Sequence, residues 1–287
     1  MGTSRAPRLV QTRPTGHGRA RGLVSSRESG RRVEAYTYGP APALSDVVAT
    51  YWSGRWDLRG QTPHETELLS DPCVNFVFEA GGAHAGSRLV GVWTRLWRRT
   101  LQDRGYVRGI KLRAGAVRAF VNTPAFHFTN RILPLSDVLG TDLTALEQRV
   151  LAPESDEEAF LVLQAWLEQR RLDSDAQQVR LAIELAQRIA NDPELTSVEV
   201  LARSAGLSRR ALQRLFRDFL GASPKWVIRR NRLQEVALRI ERGQAPTLAA
   251  LAAELGYTDQ AHLARDFKSA VGKSPSDFQL SVRVGVT

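Results

Sequence analysis

The chain holds one cysteine, Cys73, in 287 residues, so no internal disulfide can form and a reducing, cytoplasmic setting is expected. It lacks any apolar run of about 18 residues, the length a membrane-crossing helix needs, so no membrane partner is expected. The arginine-rich N-terminus carries no apolar core segment, and no secretory signal is expected there. Enzyme fingerprints are missing too: there is no nucleophile elbow, P-loop or dinucleotide glycine pattern. His64, His84 and His127 lack the close spacing of metal motifs and read as ordinary polar residues, so neither metal nor cofactor is expected. Cys73 sits in an alternating apolar run and reads as a small buried hydrophobe, not a nucleophile. The chain is not expected to be an enzyme.

What is present is charge, unevenly placed. The formal net charge is +10. Residues 1–32 hold eight arginines against Glu28 among Gly, Ser, Thr and Pro, and residues 1–34 read as a basic disordered tail. Residues 201–242 hold eleven basic residues against Asp218, Glu235 and Glu241. The remainder is net acidic. Because the second surplus coincides with helical periodicity, it should form a fixed cationic patch for a polyanionic partner.

An α+β architecture is expected. Residues 35–135 read as β-rich, with Val74, Phe76 and Phe78 on one face of a strand over Cys73–Glu79 and a turn at Ala80-Gly81-Gly82. Arg88 to Trp97 and Tyr106 to Leu112 are further expected strands, separated by Asp103-Arg104-Gly105. From residue 141 the period changes to that of helices. Leu143, Leu146, Val150 and Leu151 form one stripe; Phe160, Leu163 and Leu167 a second, with Trp166 beside it; Val179, Ile183, Ala186 and Ala190 a third, stopping near Pro193. Acid-rich breaks at Pro153 to Glu158 and Asp173 to Asp175 read as loops. The division expected is a β-rich sensor or dimerisation domain with a helical connector over 35–172, then an all-α domain over 173–287.

Residues 201–224 and 251–275 repeat one another. Leu201, Ala202 and Gly206 match Leu251, Ala252 and Gly256. Leu212, Arg214, Phe216, Gly221, Ser223 and Pro224 match Leu263, Arg265, Phe267, Gly272, Ser274 and Pro275, the second copy carrying one extra residue just after its turn. Each copy has the pattern of a helix-turn-helix, over about 196–219 and 247–271. Thr196 and Thr247 are the expected N-caps, Gly206 and Gly256 the left-handed turn residues, and Ser208 and Thr258 or Asp259 the next caps. In the first copy Leu212, Leu215, Phe216 and Phe219 share one face, leaving Arg209, Arg210, Gln213, Arg214 and Arg217 on the other. Arginine can bond two acceptors on guanine, and glutamine a donor and an acceptor on adenine, so this face suits a major groove. In the second copy Leu263, Phe267, Ala270 and Val271 face inward, and Asp259, Gln260, His262, Arg265 and Lys268 outward. Between the copies Pro224 to Gly243 reads as one long helix, with Val227, Ile228, Leu233, Val236 and Ile240 along a seam and Trp226 anchoring it. Lys225, Arg229, Lys268, Lys273 and Arg217 are candidate phosphate contacts. Ser223 and Ser274 cap helices whose N-termini can also meet phosphate.

The paired units G-x-S-x-R-x-L-x-R-x-F and G-Y-x-D-x-x-H-x-x-R-x-F, each followed by G-x-S-P, resemble the AraC/XylS DNA-binding domain over roughly residues 180–285. The resemblance implies seven helices, two recognition helices in successive major grooves, and transcription regulation. It places base contacts at Arg210, Gln213 and Arg214 in the first reader, with Arg209 beside them, and at Gln260, Ala261, His262 and Arg265 in the second. The stretch around Trp52, Trp56, Asp57, Pro72 and Cys73 resembles the N-terminal half of an uncharacterised subgroup of the family. The expected partners are double-stranded DNA, a small-molecule effector, RNA polymerase and a second copy of the chain. Trp52, Trp56, Phe76, Phe78, Trp93 and Trp97 are candidates to line an effector pocket, and core filling explains them equally well. Two alternatives stay open: a ligand-independent architectural DNA binder, and an enzyme using Cys73 fused to a DNA-targeting domain.

Overall fold

The structure, a computed structural model, describes residues 11–12, 33–68, 71–192, 194–244 and 247–283. The basic stretch over 1–34 thus lies outside the described residues, apart from 11–12 and 33–34.

The N-terminal part is built on antiparallel strands: β1 (Gln11–Thr12), β2 (Val33–Tyr38), β3 (Val48–Asp57), β4 (His64–Leu68), β5 (Asn75–Gly81), β6 (Gly86–Val90), β7 (Trp97–Leu101), β8 (Arg104–Leu112) and β9 (Ile132–Pro134). A seven-stranded sheet runs β1-β2-β3-β8-β5-β6-β9, while β4 and β7 pair apart from it. Alternation along β5 sends Phe76 and Phe78 to the face covered by helices. Val77 goes to the opposite face, where Trp56, Leu58, Leu101 and Val107 gather.

The single strand expected over Arg88–Trp97 does not form; β6 and β7 belong to different sheets. Tertiary contact breaks it. A Cβ on Gly91 would lie 1.8 Å from the Phe128 carbonyl oxygen. The backbone N–H of Thr94 donates to the Asn130 side chain at 2.8 Å instead of to a neighbouring strand. β3, the longest strand, escaped the sequence pattern because polar Ser53 lies on it in a buried position.

Four helices follow: α1 (Leu135–Leu139), α2 (Thr144–Leu151), α3 (Asp156–Arg170) and α4 (Ala176–Asn191). The acid-rich segment expected as a loop is in part the start of α3. Ser155 caps it, accepting from Glu158 N, and Asp156, Glu157 and Glu158 complement the helix dipole. Asp156 also ties α3 to the sheet. Arg108, only 1% exposed, donates through Nε to Asp156 at 2.9 Å. Its other nitrogens reach the carbonyls of Val150 and Pro153, each at 2.8 Å. Ser53 Oγ donates to the second Asp156 oxygen at 2.5 Å. On α4 the buried stripe is Val179, Ala182, Ile183, Leu185, Ala186 and Ile189. Ala190, expected in that stripe, is exposed, because the larger Ile189 takes the core position beside it.

The C-terminal part continues with α5 (Val198–Ser204), α6 (Arg209–Leu215) running into a π-helical turn over Phe216–Leu220, α7 (Pro224–Glu241), α8 (Leu248–Glu254), α9 (Gln260–Val271) and α10 (Pro275–Arg283). With α4 these are the seven helices that the resemblance implies. Two cores share α7. One runs from the sheet through α3 and α4 to Leu201, Leu212, Phe216, Phe219, Val227 and Ile228. The other gathers Leu233, Val236 and Ile240 with Leu251, Leu255, Leu263, Phe267 and Phe278. The seam expected along α7 is therefore buried throughout, its first half in one core and its second half in the other. Its 18 residues span about 27 Å at 1.5 Å per residue.

Candidate nucleic-acid interface

Both helix-turn-helix units are set by local chemistry. Ser197, not Thr196, caps α5, accepting from the backbone N–H of Glu199 and Val200. Thr247 caps α8 and accepts from Ala250 N. Gly206 and Gly256 carry φ of +64° and +70°, the left-handed geometry that ends each first helix. Ser208 caps α6 through Ala211 N, and Asp259 caps α9 through His262 N at 2.6 Å.

α7 grips the second unit. Arg232 donates to the carbonyls of Leu255 and Gly256 at 2.9 and 3.2 Å, inside the turn itself. Arg229 forms a two-pronged pair with Asp266 of α9 at 2.8 and 2.9 Å. At its other side α7 meets α4, where Asn231 Nδ2 donates to Ile189 O at 2.7 Å.

The expected base-reading residues lie on open faces. Arg209, Arg210, Gln213 and Arg214 on α6 are exposed, as are Gln260, Ala261, His262 and Arg265 on α9. Arg210, Gln213, Arg214, Gln260 and Arg265 have no hydrogen-bond or ion-pair partner among the described residues. Arg209 makes a solvent-exposed pair with Glu199 at 3.2 Å, which costs little to break. His262 packs edge-on against Tyr257 at 5.4 Å.

The expected phosphate contacts divide. Lys225 and Lys268 are exposed and Lys273 is half-buried, all three without a partner among the described residues. Arg229, the remaining candidate arginine on α7, pairs with Asp266 and keeps 41% of its side chain exposed. Arg217 pairs with Asp218 at 2.8 Å and stacks on Phe126 at 4.9 Å, so it faces the β-rich part. Ser223 and Ser274 cap α7 and α10 through Trp226 N and Asp277 N.

The six candidate effector aromatics fall into three groups. Phe76 and Phe78 pack against Trp166 on the inner face, at 6.1 and 6.4 Å. Trp52 and Trp56 lie on the opposite face, with their indole N–H groups on Asn75 Oδ1 and Gln102 O. Trp93 and Trp97 pair with each other at 6.5 Å. A cleft of about 250 Å³ lies elsewhere, where the loop at Ser45–Val47 and Arg113 face Arg171, Arg180 and Glu184. Sequence reasoning missed it because its charged residues come from four separated segments. Burial pushes the Cys73 thiol up to about 11, the opposite of an activated nucleophile.

Two helix-turn-helix units on one long helix, each with an open polar face, define a tandem helix-turn-helix protein. The family described as "Helix-turn-helix domain" matches residues 201–281, and the "Domain of unknown function (DUF6597)" matches 36–134. The chain is 36% identical over 85 residues to an uncharacterized HTH-type transcriptional regulator of Haemophilus influenzae, covering 30% of this chain and 28% of that one. It is 34% identical over 83 residues to a Streptomyces antibioticus protein that carries the name of an AraC-like transcription regulator, covering 29% and 27%. The chain thus spans under a third of the length of these two relatives. With the regulatory protein SoxS of Salmonella typhimurium it shares 30% identity over 83 residues, covering 29% of this chain but 77% of SoxS. Among solved structures, ToxT from Vibrio cholerae aligns at a TM-score of 0.42 and 11% identity, covering 87% of this chain and 98% of ToxT. The chain belongs to the AraC family of helix-turn-helix transcriptional regulators.

Proposed function

We propose that the chain is a sequence-specific regulator of transcription that lays α6 and α9 in successive major grooves of double-stranded DNA. The observation that carries this is the pair of exposed faces, Arg210-Gln213-Arg214 and Gln260-His262-Arg265, whose side chains have no hydrogen-bond or ion-pair partner among the described residues. Arg209 and Ala261 border these readers, and Lys225, Lys268 and Lys273 are the phosphate contacts. In this reading residues 35–172 form the regulatory domain with its connector and 173–287 the DNA-binding domain. A dimer would show itself as a two-fold repeated site, and an activator would in addition touch RNA polymerase.

The test is selection of duplexes from a random library by the full chain. Arg214→Ala should then cost ~1–3 kcal/mol on the selected site and relax one base position. Lys225→Ala should weaken all sequences alike and flatten the salt slope. Unchanged affinity and preference in Arg214→Ala would remove it as a reader.

The effector is assigned to the cleft between the β-rich part and α4, not to the scattered aromatics. Arg113 Nε donates to Ser45 O at 2.7 Å and Arg171 binds Asp46, while Arg180 is exposed at the rim. A thermal-shift screen of the full chain against a broad metabolite set tests this. Absence of any stabilising compound would favour the ligand-independent architectural binder.

A further inference from the structure

The two recognition helices end on equivalent glycines of the repeat, Gly221 and Gly272, with φ of +73° and +80°. Both glycines touch the β-rich part, through two loops that are stapled together. The first glycine meets the Ala125–Thr129 segment: a Cβ there would lie 2.9 Å from both Ala125 O and Thr129 Oγ1. Thr129 Oγ1 donates to the Gly221 carbonyl at 2.6 Å. The second glycine meets the Gly91–Leu96 loop: a Cβ there would lie 3.2 Å from Leu96 Cδ2, and Leu96 packs on the core of the second unit.

The staple between the loops is Asn130. Its side-chain oxygen accepts from Thr94 N at 2.8 Å, and its Nδ2 donates to Thr94 Oγ1 at 2.9 Å. Its backbone N–H donates to Val92 O at 2.8 Å, and Gly91 N donates to Arg131 O at 3.0 Å. Asn130 holds φ of +55°, a left-handed geometry that asparagine tolerates better than most residues.

We infer that this stapled pair of loops is a gauge that fixes the separation and twist of the two readers, with Asn130, Thr94 and Leu96 as positioning residues. α7 joins the two cores, and Gly256 of the second unit also meets Thr196 just ahead of α5, where a Cβ would lie 3.0 Å from Thr196 Cγ2. A single contact at one turn leaves rotation about it, and an attachment that touches both helix ends removes that freedom. Asp71 adds a third point, bonding Gln234 midway along α7. Fixing the readers beforehand lowers the entropy lost on docking both, and makes the second docking depend sharply on half-site spacing.

This inference rests on the DNA-binding reading, and its test keeps the two apart. The probe is the duplex enriched by the wild-type chain, with one to three base pairs inserted between the two protected segments. The wild type should lose about tenfold or more on the misfitted duplexes, because the second reader no longer docks intramolecularly. Leu96→Ala and Asn130→Ala should bind parent and inserted duplexes within about threefold of each other while still protecting both segments. Thr94→Ser, which keeps the hydroxyl, should retain the wild-type profile. Leu96→Ala removes only part of a half-buried side chain and carries the test if Asn130→Ala fails to fold. Retention of the sharp wild-type optimum in Leu96→Ala overturns the gauge alone, as does protection of a single groove by the wild type. Failure of the wild type to enrich any duplex overturns the DNA-binding reading and the gauge with it.

Discussion

Glycine-to-alanine changes at three helix ends form a graded experiment on how the β-rich part holds the readers. All three glycines carry positive φ, so each alanine meets a similar left-handed penalty of ~1–2 kcal/mol. Their surroundings differ. Around Gly206 an added Cβ meets nothing within 4 Å, so Gly206→Ala should cost that penalty and no more. At Gly272 the Cβ meets the tip of Leu96 at 3.2 Å, and a terminal methyl can yield. At Gly221 it meets a backbone carbonyl and the Thr129 hydroxyl, both at 2.9 Å, and neither can move without dragging the loop. Overpacking of that kind adds ~1–3 kcal/mol. Displacing the loop also strains the Thr129 to Gly221 hydrogen bond, worth ~1 kcal/mol. Gly221→Ala should therefore cost ~3–6 kcal/mol in total, against ~1–2 for Gly206→Ala. Urea titration of the full-length proteins measures the difference. In a thermal melt each kcal/mol should appear as a fall of about 2–4 °C. Equal losses at Gly206 and Gly221 would refute the claim that the β-rich part presses on the first recognition helix.

Further expectations follow from buried charge and from caps. Asp156→Asn leaves the Arg108 guanidinium buried without its counter-charge and should cost ~3–5 kcal/mol, read by urea titration. Burial of Asp156 would by itself raise its pKa, but hydrogen bonds from Ser53, Arg108 and Arg55 outweigh this and hold it below the ordinary carboxylate value. With the folded pKa lowered, the stabilisation is present above the unfolded value and is lost as pH falls through the folded one. Asp156→Asn should thus flatten the acid limb of the stability profile, and an unaltered limb would exclude this pair as its source. Ser208→Ala should destabilise by ~1 kcal/mol through loss of the Ala211 N–H bond, seen as faster hydrogen exchange in the first turn of α6. A double-mutant cycle on Arg229 and Asp266 should give a coupling of about 1 kcal/mol, the modest value of a half-exposed two-pronged pair. Zero coupling would exclude the pair as a tie between α7 and α9.

The C-terminal half was legible because its elements are short-range objects. Caps such as Ser208, left-handed glycines such as Gly206, and the apolar stripe Leu263-Phe267-Val271 act within a turn or two of chain, so their spacing carries the structure. Repetition doubled that signal, and the polar faces of α6 and α9 then follow by subtraction. The β-rich half was less legible. Whether Arg88–Trp97 runs as one strand depends on Asn130 taking the Thr94 N–H, a contact between residues 36 positions apart. Ser53 looks like a break in a strand until Asp156, 103 positions on, supplies its acceptor. The six aromatics proposed for a pocket do not all share one face, because alternation along each strand, together with sheet order, decides which side a ring occupies. The chain's own periodicity determined that it carries two polar-faced helices of the helix-turn-helix type on one long helical spacer. Only the tertiary structure decided which arginines stay open and which are held by Asp266 or Phe126, because pairing depends on distances that spacing along the chain does not set.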